Sequence, residues 1–242
     1  MKGLGTIVNV AAVVLAALIG LLFKGGIKDK YQNMVRCALG LSTMFIGASG
    51  TLAEMFFISD GKLSTQGSMM LFLSLVIGGL LGELISIEDR LEHVGEWIKK
   101  KVKAENDNKF VDGFVDATLV ICIGAMAIMG SLQDGLTASH ETLFVKSALD
   151  FFFVMILAST MGIGTMFSAI PLGIYQGAIT LAAGLISPFM SDMLISNLSL
   201  VGSVLIFSIG VNFVFGKKFK VGNLLPALLG PIVYEIAMKI IG

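Results

Sequence analysis

The sequence predicts an all-α, polytopic transmembrane helix bundle of about eight spans. Of its 242 residues, 55% are hydrophobic and 14% charged. The apolar residues come in runs close to the roughly 20 residues that a helix needs to cross a bilayer core. Short polar loops separate the runs, which leaves no room for a soluble domain, so residues 1–242 are expected to form one integral membrane domain. The 17 basic and 17 acidic residues cancel, so a nucleic-acid partner has no electrostatic footprint. Cys37 and Cys122 both fall inside apolar runs, which offers neither a disulfide framework nor a Cys-x-x-Cys zinc site. No metal and no cofactor is expected.

The first run, about Gly5 to Phe23, follows Lys2 as a signal peptide would. It is longer than a signal core and has no small-x-small cleavage site behind it, so a retained helix is expected. A second run, about Met34 to Leu52, leads into a polar loop with Glu54, Asp60 and Lys62. The third, about Ser68 to Ile87, carries Gly78 and Gly82 in the small-xxx-small spacing that lets helices approach closely. Packing within the chain is the first reading of that pair, and a homo-oligomer seam the second.

Leu84, Ile87, Leu91, Val94 and Ile98 step by three and four, so the third run should continue as an amphipathic helix over 84–104. Trp97 and the cluster Lys99, Lys100, Lys101 and Lys103 suit a helix lying on an anionic leaflet, with membrane lipids as its partner. The fourth run, about Val111 to Met129, has Asp112 and Asp116 near its start, then Cys122, Met126 and Met129. Those soft side chains fill irregular gaps more readily than they ligate metal, because no histidine accompanies them. Ser131 to Glu141 is expected to be a loop. The fifth run is about Leu143 to Met161, with Lys146 and Asp150 one turn apart. The sixth reaches about Ile186, the seventh spans about Leu194 to Phe215 with Asn212, and the eighth runs from about Leu224 to Ile241 with Pro226, Pro231, Glu235 and Lys239.

Between the fifth and sixth runs, Gly162, Gly164 and Pro171 interrupt the apolar sequence, which predicts a broken helix pair at 161–171. Thr165, Ser168, Tyr175 and Gln176 cluster beside that break. They can hydrogen-bond a solute, or satisfy backbone groups freed by the interruption. A break lined with polar groups is the arrangement by which transporters hold ions and small solutes. The candidate binding residues are therefore Gln176, Ser168, Thr165 and Tyr175, with Asp150 and Asp116 supplying charge.

Lys and Arg near helix ends are retained in the cytoplasm. With eight spans, thirteen of the 17 basic residues fall on one side: Lys24, Lys28, Lys30, Arg36, Arg90, Lys99, Lys100, Lys101, Lys103, Lys109, Lys217, Lys218 and Lys220. Lys2, Lys62, Lys146 and Lys239 fall on the other, which puts both termini outside and segment 84–104 in the cytoplasm. Weak self-similarity links Ile19, Gly20 and Phe23 to Ile209, Gly210 and Phe213, as a parallel duplication of hairpins would.

Several stretches together carry a family resemblance: GTIVNVAAVVLAALIGLLF, FVDGFVDATLVICIGAMAIMGSLQDGL, KSALD, GIGTMFSAIPLGIYQGAITLAAG and LLPALLGPI. The chain resembles the YqgA-like family of bacterial inner-membrane proteins of unknown function along nearly its whole length. The resemblance implies a multi-pass protein of the bacterial plasma membrane and a transport role. It brings no catalytic or ligand residues to carry over.

An enzyme is not expected. A membrane zinc protease needs a paired His-Glu-x-x-His, whereas His93 and His140 are the chain's two histidines and fall on opposite sides. Polar groups within the runs, Asn9, Glu83, Asp116, Asp150, Gln176, Asn212 and Glu235, are costly to bury without partners. With no Lys or Arg in the central parts of the runs, they favour a transporter or channel for a small polar solute or cation. The alternative is a non-transporting scaffold or assembly protein that works through helix packing and its basic amphipathic segment.

Overall fold

The computed structural model describes residues 1–24, 29–59 and 61–241; Lys28 and Asp60, counted above, lie outside the described residues. In chain order the elements are α1 (Leu4–Lys24), α2 (Asp29–Met55), β1 (Phe56–Ser59), β2 (Lys62–Thr65), α3 (Ser68–Ile85), α4 (Ile87–Lys101), α5 (Phe110–Cys122), α6 (Ala125–Thr137) and α7 (Glu141–Met161). A 3-10 turn (Ile163–Ser168), α8 (Ala169–Ile186), α9 (Asp192–Phe215), α10 (Val221–Leu224), a second 3-10 turn (Leu225–Leu228) and α11 (Leu229–Ile241) follow. The chain forms two compact units, residues 1–39 with 89–189 and residues 40–88 with 190–242.

Among the described residues seven helical segments are long and apolar enough to cross a membrane, and α5 with α6, bent by 62°, make up an eighth. The helices are patterned as membrane spans. On α8 the buried residues Ala169, Leu172, Gln176, Thr180 and Ala183 recur every three or four positions, while Leu181 is 90% exposed. On α3 the buried stripe is Met70, Ser74, Gly78 and Gly82, with Phe72 and Leu80 facing out. Small and polar residues inside with large apolar ones outside is the reverse of a water-soluble helix and suits a lipid surround.

Helix directions within the first unit fix how the chain crosses. Along α1, Gly5 meets Leu143, and Gly20 meets Met155 and Ala158 of α7, so α1 and α7 are parallel. Two parallel spans need an odd number of crossings between them. That number is three only if the bent α5 and α6 together cross once. On α8, Thr180 meets Thr6, Gln176 meets Asn9 and Gly173 meets Val10, so α8 runs antiparallel to α1 and α7. The break after Met161 is therefore a turn between two crossings.

Several boundaries differ from the sequence reading. The amphipathic helix does not continue from α3, because Ser86 takes a left-handed conformation (φ 54) and its N–H caps the carbonyls of Gly82 and Glu83. Its buried face is Leu91, Gly95 and Ile98, half or fully covered, and Leu84 and Val94 are exposed. The fourth run ends at Cys122 and resumes at Ala125, since Ile123 is extended and Gly124 has φ 136. Most of the expected loop 131–141 is the rest of α6. Phe56 to Thr65 forms an antiparallel hairpin, Phe56 opposite Thr65 and Ser59 opposite Lys62, where a polar loop was expected.

In the second unit the last span is itself interrupted. Its 3-10 turn at 225–228 lies against α3, where Gly78 meets the backbone of Ala227 and Gly82 that of Asn223. The small-residue spacing thus serves packing within the chain. Gly20 and Gly210 of the suggested duplication are both close-contact glycines, but on different partners. Gly20 meets the parallel α7, whereas Gly210 meets Gly40 and Met44 of α2. Gly47 of α2 meets Ser203 and Phe207, so α2 runs antiparallel to α9.

Candidate functional site

A ladder of buried polar side chains lines the first half of α1, where that helix meets α6, α7 and α8. At its first rung the Asp134 carboxylate accepts from the backbone N–H groups of Gly3 (2.9 Å), Gly5 (3.0 Å) and Thr6 (3.4 Å). The first amides of a helix have no partner within it and carry partial positive charge. Asp134 therefore caps α1, and His140 Nδ1 lies 3.0 Å from Oδ1, the oxygen that also accepts from Gly3. One turn on, the Thr180 hydroxyl donates to the Ser131 carbonyl (3.2 Å), and the Thr6 and Thr180 hydroxyls lie 3.4 Å apart.

The deepest rung is charged. Lys146 Nζ donates to both oxygens of Asp150, at 2.8 and 2.7 Å, and both residues are buried. Asn9 Nδ2 donates to Asp150 Oδ2 at 3.0 Å and to Gln176 Oε1 at 3.4 Å. Asn9 and Gln176 are 0% exposed, yet Asn9 Oδ1 and Gln176 Nε2 have no hydrogen-bond partner, and neither has the Ser131 hydroxyl. Since α1 rises about 1.5 Å per residue, Asn9 lies roughly 9 Å inside Gly3, a third of the way across a core of about 30 Å.

Along α1 no polar side chain follows Asn9 until Lys24. Val13, Ala16, Ala17, Ile121, Val154, Ala158, Ala169 and Leu172 close over as a buried apolar cluster. The ladder of polar side chains therefore runs from Asp134 at one end of the first unit to the rung of Asn9, Asp150 and Gln176, with the apolar cluster beyond it.

The sequence-derived candidates divide into two sets. Gln176 and Asp150 are brought together through Asn9. Thr165 and Ser168 sit instead in the 3-10 turn, where the Thr165 hydroxyl donates to the Gly162 carbonyl (2.8 Å) and the Ser168 hydroxyl to the Thr165 carbonyl (2.6 Å). They satisfy backbone that the break would leave unpaired. Gly162 makes the break with φ 91 and ψ −159, a region open essentially to glycine alone. Gly164 packs directly on the Phe110 carbonyl of α5, leaving no space for a side chain. Pro171 falls in the first turn of α8, where a missing N–H removes no helix bond. Tyr175 is half-buried on α8 and Asp116 half-buried on α5.

Sequence reasoning placed Lys146 near the start of the fifth run and no lysine in the central parts of the runs, and Lys146 is buried. It also left Asn9, Thr6 and Thr180 out of the site. Their signal was spacing: Thr6 and Asn9, and Gln176 and Thr180, fall three and four apart and so share helix faces. Asp134 was missed because its segment read as a loop.

The comparisons with known proteins agree with this architecture and assign no chemistry to it. Residues 4–236 match the family model described as "Protein of unknown function (DUF554)". The chain is 33% identical over 238 residues to "Uncharacterized membrane protein YdfK" of Bacillus subtilis (strain 168), covering 98% of each. It is 28% identical over 233 residues to "Uncharacterized protein YqgA" of Escherichia coli (strain K12), covering 93% of each. No solved structure matches. With the family model spanning nearly the whole chain, and helices patterned for lipid throughout, this is a multi-pass membrane protein that belongs to the DUF554 family.

Proposed function

We propose that the protein is a non-enzymatic transporter of a small polar solute or cation, with its binding site at Asn9, Lys146, Asp150 and Gln176. The observation that carries this reading is the pair of unpartnered amide atoms, Asn9 Oδ1 and Gln176 Nε2, buried beside an ion pair at the end of a polar path. A buried polar atom without a partner costs about 1–3 kcal/mol. A pair of them on residues that already contact each other and Asp150 is what a transient ligand would use. The apolar cluster below favours a carrier, which must open on the far side, over a continuously open channel.

Charge supports an orientation within the bacterial plasma membrane. Lys99, Lys100 and Lys101 form the last turn of α4, which faces the cytoplasm if basic residues are retained there. Both termini, and with them the outermost rung of the ladder at Gly3 and Asp134, then face outward. Cysteines at Ser64→Cys and Asp107→Cys, in a background without Cys37 and Cys122, should label from opposite sides of the membrane; labelling from one side removes the orientation. The transport reading is tested by flux into reconstituted vesicles with Gln176→Leu as the disabled variant.

A further inference from the structure

We infer that the site at the foot of the α1 ladder takes a neutral solute bearing adjacent hydrogen-bond donor and acceptor groups, of carboxamide type, rather than an ion. The inference rests on the transport reading above only for the identity of the site, and specifies what the site binds.

Asp150 fixes which way the two amides point. A carboxylate accepts hydrogen bonds and cannot donate them when ionised. Asp150 acts as an acceptor here, since Lys146 Nζ donates to both of its oxygens, at 2.8 and 2.7 Å. Asn9 must therefore turn its NH2 group, not its carbonyl, toward Asp150, where the distance is 3.0 Å. That same NH2 group faces Gln176 at 3.4 Å, so Gln176 must present its carbonyl. The orientation of Asn9 is dictated by the acceptor oxygen it faces on Asp150, and that of Gln176 by Asn9. What remains is fixed: Asn9 offers a free acceptor, Oδ1, and Gln176 a free donor, Nε2, both fully buried.

The charges at this level leave nothing for an ion to neutralise. Lys146 and Asp150 face one another and cancel, and the next polar groups outward, Thr6, Thr180 and the unpartnered Ser131 hydroxyl, are neutral. A cation would gain from Asp150 only by displacing Lys146, which breaks a buried pair. A free acceptor on Asn9 and a free donor on Gln176, two residues in contact through Asn9 Nδ2 and Gln176 Oε1 at 3.4 Å, match a carboxamide, whose N–H would reach Asn9 Oδ1 while its C=O receives Gln176 Nε2.

The test uses the purified protein in nanodiscs and three probes: acetamide, acetone and rubidium ion. Acetone has nearly the shape of acetamide and retains the acceptor but lacks the donor. Saturation-transfer NMR should show acetamide bound and acetone not. Gln176→Met, which keeps length and loses the amide, should weaken acetamide about tenfold. Ser131→Ala, which removes a neighbouring hydroxyl, is the second variant should Gln176→Met fail to give a native circular-dichroism spectrum, and it should weaken acetamide less than tenfold but measurably. Equal binding of acetone and acetamide, or acetamide binding unchanged in the folded variants, overturns the inference. Rubidium uptake into vesicles that Gln176→Met abolishes, without acetamide binding, overturns it while leaving transport standing. Acetamide binding without flux of any probe keeps the ligand class and removes the transport reading. No binding and no flux with any probe overturns both.

Discussion

Replacing Lys146 by Met should be among the most damaging single changes in the chain, and replacing Asp150 by Leu at the same time should partly repair it. Lys146 Nζ contacts both carboxylate oxygens of Asp150, and both residues are buried. Removing the ammonium leaves the carboxylate with the Asn9 NH2 group as its remaining hydrogen-bond donor, and breaking a buried pair from one side costs about 3–5 kcal/mol. The double variant buries no charge. It loses the Asn9 bond to Asp150, about 1 kcal/mol, while Asn9 Nδ2 still has Gln176 Oε1 within 3.4 Å. The double variant should therefore be more stable than Lys146→Met by about 2 kcal/mol or more. Denaturant unfolding in mixed micelles, followed by circular dichroism, gives the free energies of all four proteins. Additive losses, with the double variant as unstable as the two singles combined, would refute the claim that the pair is a coupled buried unit.

Two further outcomes are expected. Gly164→Ala places a methyl group against the Phe110 carbonyl, a backbone atom that cannot rotate aside, and should destabilise by about 1–3 kcal/mol. Gly177→Ala meets open space and should be neutral or stabilising by up to about 1 kcal/mol; melting curves in detergent that rank the two equally would remove the close-approach argument. Trp97 is the chain's one tryptophan and lies exposed on α4 with Lys101 4.6 Å from its ring, so its fluorescence reports on that helix directly. Emission should shift to the blue in anionic nanodiscs relative to zwitterionic ones, and replacing Lys99, Lys100, Lys101 and Lys103 by Gln should abolish the difference; identical spectra in both lipids would detach α4 from the leaflet.

The spans were legible in the sequence because lipid makes length and apolarity sufficient. Every run but the fourth has a single helical counterpart within a few residues, and the fourth is a bent pair that reaches Thr137. What stayed hidden depends on backbone angles at single residues. Ser86 ends α3 in a conformation that a serine rarely adopts, and the 3-10 turn at 225–228 follows from the packing of α3 glycines on Asn223 and Ala227 rather than from local composition. The site was half legible. Gln176 and Asp150 stood out as polar residues in apolar runs, but Thr165 and Ser168 drew attention by lying close in sequence to the break, and their hydroxyls serve its backbone. Asn9 lies more than a hundred residues from either partner. Its role appears only once α1 is laid parallel to α7.

The most direct test of the central claim is flux into proteoliposomes, measured for a panel of small polar solutes and monovalent cations with the wild-type protein, Ser168→Ala and Gln176→Leu. Ser168→Ala removes a 2.6 Å hydrogen bond within the 3-10 turn and should lower stability by about 1 kcal/mol while leaving flux intact. Gln176→Leu removes the fully buried amide at the foot of the ladder and should fold normally yet lose flux by about tenfold or more. A protein that carries no member of the panel, or one whose flux survives Gln176→Leu, would contradict the account.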